Sequence, residues 1–346
     1  MRRRKLFAGA GAGAVAVAAG TWGADAVPAE SDESRWESVT VRPDDPRYEN
    51  LLRGNNFRFA GSPDEIRVVG STEQVVSAVS DAVSSGQRIA VRPGATLGQV
   101  YRKLLIGWGV TIPGGGCPEV GAGGHFVGGG YGPLSRRYGS VVDHLYGVEV
   151  VVVDADGTAR AVVATRDPDD PNHDLWWAHT GAGGGNFGVV TRYWLRSPDT
   201  EGSDDPSRLL PAAPRQMLQH VIIWSWEDMT FEALTGLLRN FNAWHERNSA
   251  PDPAYTGLYG ILQPSHRAGG IVTLVAQIDA GLPDADTLVA DFLSEVTADV
   301  NLTPVLDLGR TMPWLHRMIW PGSGEPGDVL LRRYKLKAGY LRRSFT

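Results

Sequence analysis

Nineteen consecutive residues, GGGCPEVGAGGHFVGGGYG (114–132), contain ten glycines and the only cysteine of the chain, Cys117. Glycine loses more backbone freedom on folding than any other residue. Such a segment orders only where something in the native state offsets that loss. A second run, GAGGGNFG (181–188), poses the same problem just before the β-rich VVTRYWL. Glycine stretches let backbone N–H groups approach a ligand closely, and anions such as pyrophosphate are the usual guests of these nests.

Gly183-Gly184-Gly185-Asn186-Phe187-Gly188 matches G-x-G-x-x-G. That fingerprint should follow a strand and open a helix. Here the helix-like NHDLWWAHTG precedes it and a strand-like run follows, which argues against a Rossmann dinucleotide fold. Two ligand-free turns are the other plain reading. Against it stand two long clusters in one stretch of chain, a lone cysteine beside a proline, and a GGH tripeptide. With one cysteine no intramolecular disulfide forms, and a structural zinc site of several cysteines is excluded. Cys117 is therefore a buried small apolar residue, a free thiol, or a covalent attachment point.

The chain has 346 residues, enough for two domains, and a net charge of −6. No basic field is present to hold nucleic acid, and no polybasic tail to hold a membrane surface. The N-terminus carries Arg2, Arg3 and Arg4, then a small apolar run and an A-x-A site at Ala24-Asp25-Ala26. This pattern predicts a twin-arginine-type export signal over 1–26, outside the fold. The alternative is a short membrane anchor, but the apolar run falls short of the ~20 residues that span a bilayer. The expected location is exported, secreted or cell-envelope, without stable membrane insertion.

Residues 27–47 are polar and read as extended. STEQVVSAVSDAVSSG (71–86) has helical apolar spacing, with Ser71 and Gln74 suited to a capping box and Gly86 to the C-terminal stop. RIAVR (88–92) reads as a strand and TLGQVYRKLL (96–105) as a helix begun by a capping threonine. Residues 145–164 read as a hairpin turning at Asp154-Ala155-Asp156-Gly157. NHDLWWAHTG reads as a short helix capped by Asn172. After Pro198 a linker, EGSDDPSR, leads to strand-like HVIIWSW and GGIVTLVAQI and a helix over 229–246. This is a second, α+β domain with a mainly antiparallel sheet.

CPEVGAGGHFVGGGYG followed by RRYG and VVDHL, then DLWWAHTGAGGGNFGVVT, resembles the berberine-bridge-enzyme-like branch of the FAD-linked oxidases, which have a vanillyl-alcohol-oxidase-type fold. The resemblance is strong over 48–198 and looser over 199–346. It implies a PCMH-type FAD-binding domain of two α+β subdomains (48–198) and an α+β substrate domain (199–346) lying over the flavin. It implies that Cys117 forms a thioether to C6 of the isoalloxazine ring. Pro118, Gly121, Gly123, Gly124, His125, Gly128, Gly130 and Asp143 match one flavin-cradling stretch, and Asn186, Phe187, Gly188 and Val189 the other. For His125, hydrogen bonding to loop backbone and contact with the cofactor are both open. Tyr131 matches a position beside the substrate carbon in sugar-oxidising relatives; its alternative is an aromatic wedge closing the glycine turn. No metal is implied. The activity implied is oxidation of an alcohol on a sugar, glycoside or secondary metabolite, by hydride transfer to FAD with O2 as acceptor.

The chain also departs from the family pattern. Many relatives attach FAD a second time through the histidine of an S-G-G-H motif after a strand like RIAVR. Here RIAVR runs directly into PGATLGQVYRKLL, and S-G-G-H is absent from the sequence. An internal deletion at Val91-Arg92 is the simplest reading. It would remove the histidyl linkage, a phosphate-binding turn and a sheet strand. The chain also stops at YLRRSFT, where relatives continue through the substrate domain, so that domain is expected to be incomplete. A non-catalytic remnant stays open as an alternative, as does a secreted carbohydrate-binding module built on the aromatic-rich second half.

Overall fold

The computed structural model describes residues 4–9, 15–17, 37–52, 62–92, 94–181, 183–200, 203–251 and 253–319. These form three four-stranded sheets with helices packed against them, an α+β architecture.

The first sheet draws on β1 (Arg4–Gly9), β3 (Val39–Val41), β4 (Ile66–Val69) and β5 (Arg88–Arg92), in the order β3-β4-β1-β5; β2 (Val15–Val17) joins another sheet. Helix α1 (Tyr48–Leu52) and helix α2 (Thr72–Ser84) flank β4 in sequence. Strand β3 is antiparallel to β4, whereas β4 and β5 both run parallel to β1. The β4-α2-β5 unit thus leaves a gap one strand wide, and the chain's own N-terminus fills it, with Leu6 opposite both Ile66 and Ala90. The sequence pattern places the N-terminal segment outside the fold; at Arg4–Gly9 and Val15–Val17 the structure puts its backbone into sheets. The physical reason is that an open gap presents two rows of unpaired N–H and C=O groups, and any extended segment within reach can pair with them. The rest of 1–26 lies outside the described residues.

Helix α2 begins as its sequence predicts. The Ser71 side chain accepts from the Gln74 N–H at 3.3 Å. The Gln74 side chain reaches back one residue further than a capping box, to the Gly70 N–H (2.8 Å). Gly86 ends the helix at φ +61°. Helix α3 (Leu97–Trp108) opens on a Thr96/Gln99 capping box and buries Leu97, Val100, Tyr101 and Leu104. It runs a turn beyond the predicted end because Gly109, at φ +71°, is the residue that can take the left-handed stop.

Helices α4 (Ala122–Val127) and α5 (Ser135–Tyr138) follow, then β6 (Leu145–Val153), β7 (Ala159–Thr165), α6 (His173–Ala178) and β8 (Val189–Leu195). The second sheet is ordered β2-β8-β6-β7, with β6 antiparallel to both β7 and β8. Asn172 stands at the N-cap of α6 without capping it. Its Nδ2 donates instead to the Val163 carbonyl (3.1 Å), while its N–H is held by Asp170. Local hydrogen bonds from Asn and Asp compete with caps in this way.

The third sheet contains β9 (Gln216–Ser225), β10 (Tyr259–Pro264), β11 (Ile271–Asp279) and β12 (Leu306–Pro313), all antiparallel in the order β10-β11-β9-β12. Between them run α7 (Phe231–Arg247), α8 (Pro253–Thr256) and α9 (Ala285–Val296); α10 (Trp314–Ile319) follows the last strand. Leu218, Ile222 and Trp224 alternate along one face of β9 and pack with Leu237, Trp244, Val289 and Phe292 of α7 and α9. The opposite face contributes Met217 to another core, shared with α3, α4 and β6. Helix α10 completes that seam: Trp314 is buried edge-on to Tyr101, with ring centroids 6.1 Å apart. A second tie is Arg136, which donates to the carbonyls of Asn248 (2.6 Å) and Leu258 (3.2 Å) and lies over the Trp244 ring.

Candidate functional site

The cysteine-bearing loop is fastened to the start of α3. The Gly98 N–H donates to the Pro118 carbonyl, the Leu97 N–H to Val120, and the Ala122 N–H to Ala95, each at 2.9 Å. The Tyr101 hydroxyl donates to the Gly115 carbonyl (2.9 Å). The Gly115 N–H donates to His125 Nε2 at 3.1 Å. An acceptor at Nε2 puts the proton of the neutral imidazole on Nδ1, and burial lowers the His125 pKa, favouring that neutral form. Gly132 lies so close to this strand that a Cβ on it would fall 1.8 Å from the Gly114 carbonyl oxygen. Every one of these contacts fixes the loop backbone around the thiol and leaves Cys117 exposed at its end.

The glycine segment is not loop throughout. Gly121 caps α4, which contains Gly123, Gly124 and His125 and ends at Gly128. Gly130, at φ +70°, accepts from the Val141 N–H (2.8 Å) and turns the chain toward Tyr131. The second segment closes against this helix. A Cβ on Gly184 would meet the Val127 Cβ at 2.3 Å, so the backbone of one segment touches the other where no side chain fits. The Tyr193 hydroxyl donates to the Gly123 carbonyl (3.2 Å), and its ring meets Phe126 edge-on at 5.2 Å. Asn186 donates from Nδ2 to the Gly183 carbonyl (2.5 Å), and Phe187 lies half out of the surface against His179. Gly188 leads into Val189, the first residue of β8.

Thus the structure brings the two glycine walls together. Cys117, Pro118, Gly121, Gly123, Gly124, His125, Gly128, Gly130 and Tyr131 lie on one side, and Asn186, Phe187, Gly188 and Val189 on the other. Asp143 holds backbone. Its carboxylate accepts from the Ser140 N–H (2.6 Å) and caps the short turn that ends in the buried His144. His144 is itself held by Ser197 Oγ and the Tyr138 carbonyl, each at 2.8 Å. Tyr131 is 69% exposed.

Three residues of this site escape sequence reasoning. Arg317, on α10, is 7% exposed, and among the described residues its Nε and Nη1 have no hydrogen-bond partner. Its Nη1 lies 3.4 Å from where a Cβ on Gly116 would stand. Burial lowers its pKa to about 10, against the pull of Cys117, Tyr259 and Tyr101 around it. Burial also raises Tyr101 far above its ordinary range, and raises Tyr259, which lies near both Tyr131 and Arg317. Cys117 is crowded enough that burial pushes its thiol pKa up, with Arg317 pulling it down. No spacing in the sequence links 317 to 117. The nearest signal is a cation inside the apolar run PWLHRMI.

Residues 51–162 match the family model described as FAD binding domain. The chain is 45% identical over 353 residues to the aclacinomycin-N/aclacinomycin-A oxidase of Streptomyces galilaeus, with 90% of this chain and 64% of that protein covered. It superposes on the crystal structure of aclacinomycin oxidoreductase with a TM-score of 0.78 and 44% identity, covering 84% of this chain and 67% of the other. The chain belongs to the FAD-linked oxidases of the berberine-bridge-enzyme-like branch. A glycopeptide hexose oxidase, solved in complex with teicoplanin, is similar too, with a TM-score of 0.75 and 45% identity over 84% of this chain and 66% of that one. This FAD-linked oxidase chain spans 64% of the length of the curated Streptomyces galilaeus oxidase it matches.

The residues present fit the ring end of a flavin. An exposed thiol, a buried guanidinium whose Nε and Nη1 have no hydrogen-bond partner among the described residues, and glycine-rich walls suit a flat, electron-poor ring that gains negative charge on reduction.

Proposed function

We propose that this chain is an exported FAD-dependent oxidoreductase, acting on an alcohol group of a sugar, glycoside or secondary metabolite. FAD, when bound, supplies the hydride acceptor, and dioxygen is the final electron acceptor in this reading. Cys117 holds the cofactor covalently. The glycine walls exclude side chains from the ring, and their fixed N–H groups need no reorganisation when a ligand arrives. Tyr131, exposed and beside Tyr259, orients the substrate hydroxyl and accepts its hydrogen bond; the pair offers two phenols to one alcohol. The twin-arginine pattern of the N-terminus supports export after cofactor loading in the cytoplasm.

The observation that carries this reading is an exposed Cys117 on a glycine segment whose helix α4 meets the second glycine segment backbone-close, at Val127 and Gly184. Purified protein should carry flavin absorbance that survives acid precipitation, and Cys117→Ala should lose the acid-stable part. A colourless protein that takes up no added FAD would end the reading.

One observation favours a second reading, a non-catalytic remnant. The gap in the first sheet is filled by the N-terminal segment, and the sequence expected to carry the histidyl linkage is missing beside it. Flavin uptake without turnover of any sugar or glycoside alcohol would favour the remnant.

A further inference from the structure

We propose that Arg317 is the group that activates Cys117 for covalent capture of the cofactor, acting as a positioning cation delivered from the far end of the substrate domain. The inference rests on the flavin reading above, and its geometry is read from this chain's own residues. Arg317 is buried on α10, beside Trp314, which packs on Tyr101 of α3. The same Tyr101 holds the Gly115 carbonyl, two residues before the thiol. Nη1 faces Gly116, whose missing side chain leaves the approach open. A guanidinium taken out of water is costly unless a charge or acceptors meet it. Among the described residues Nε and Nη1 meet none, so the cation is held ready for a negative partner. The ionisable groups that favour its charged form are Cys117, Tyr259 and Tyr101.

The thiolate, not the thiol, is the nucleophile. Burial works against the thiolate here and Arg317 works for it. In the capture step, the sulfur forms a bond to the ring carbon and the hydrogen of that carbon leaves as a proton. The electron pair, with two protons, stays on the ring system as the reduced cofactor. Dioxygen then takes the two electrons and two protons as hydrogen peroxide, which restores the oxidised ring. The negative charge that passes from sulfur to ring in this step stays close to one fixed cation.

The test compares the wild-type chain with Arg317→Met and Arg317→Lys, each prepared without flavin and then given FAD. Non-covalent binding is followed by quenching of flavin fluorescence, and attachment by intact mass. Arg317→Met should bind FAD and attach it about tenfold more slowly at neutral pH, because without the neighbouring cation less of the thiol is ionised to the nucleophilic thiolate. Arg317→Lys should recover most of the rate, and raising the pH should narrow the gap. Because Cys117 is the only thiol, its alkylation by iodoacetamide in the flavin-free chain gives a second measure: the pH midpoint should move up in Arg317→Met. Attachment at the wild-type rate with an unmoved alkylation midpoint would overturn the inference while leaving the flavin reading intact. A wild-type chain that binds no FAD would defeat the flavin reading and the capture role together. An unchanged midpoint would then remove the arginine–thiol coupling as well.

Discussion

The first and third sheets have four strands each and hold together by different means. In the third, the links β9-β11 and β10-β11 are antiparallel, with registers running from Tyr259↔Gln277 to Asp279↔Met217, and α7 and α9 cover one face. In the first, β4 and β5 are parallel and separated by a gap that a distant segment, Arg4–Gly9, fills. Antiparallel neighbours such as β10 and β11 can be joined by a short connection, whereas the parallel β4 and β5 need a crossover, supplied here by α2, and stand one strand position apart. The flavin half therefore meets pieces remote in sequence: β1 from the N-terminus and α10, which follows the third sheet.

The largest test of this contrast is removal of residues 1–26, the cut that export would make. Amide exchange should lose protection across Ile66–Val69 and Arg88–Arg92 while β9 and β11 keep theirs. Equal protection before and after would show that the first sheet stands without β1. Next, Trp314→Ala should cost about 3–5 kcal/mol, because it empties the seam between α10 and Tyr101. Urea unfolding should show the loss, and the flavin half should melt ahead of the third sheet. Smaller again is Arg136→Ala. It removes two charge-assisted bonds to carbonyls and a ring contact, worth roughly 2 kcal/mol. Its signature should be looser coupling, read as two separated thermal transitions rather than one.

The smallest effect is a pH dependence. Burial lowers the pKa values of His125, His144 and His245 below the ordinary 6.5. For a base with a depressed folded pKa, the unfolded chain binds the proton first. Stability is therefore level above about pH 6.5 and falls as pH drops toward the folded values. His125→Gln should flatten part of the slope in thermal melts taken across that window. Because His125 and His144 lie in the flavin half, that half should soften first.

Much of the local structure is legible in the amino-acid order. The caps of α2 and α3, the hairpin at Gly157 and the strand β8 follow from neighbouring residues, because a cap or a tight turn is decided within a few positions. The end of α3 and the cap of α6 depart from their expected places for an equally local reason: Gly109 offers a better stop, and Asn172 has a nearer partner at Val163. The short helix α4 is hidden by its glycines, which have poor helix propensity; burial of Ala122, Phe126 and Val127 overrides it. In the site, the walls are visible as motifs; the turn that Asp143 caps and the nearness of Tyr101, Tyr259 and Arg317 to the cysteine loop are not.

What the amino-acid order determined by itself was the set of short-range features: helix starts, turns, the glycine segments where backbone must approach closely, and the cysteine between them. What only the tertiary structure decided was which distant groups meet. The N-terminal strand entered the first sheet between two parallel neighbours, and a buried cation from α10 arrived beside the Cys117 loop. Such meetings are selected by the energy of leaving backbone groups and charges unpaired in the interior, a quantity set by the whole packed chain and written in no local pattern.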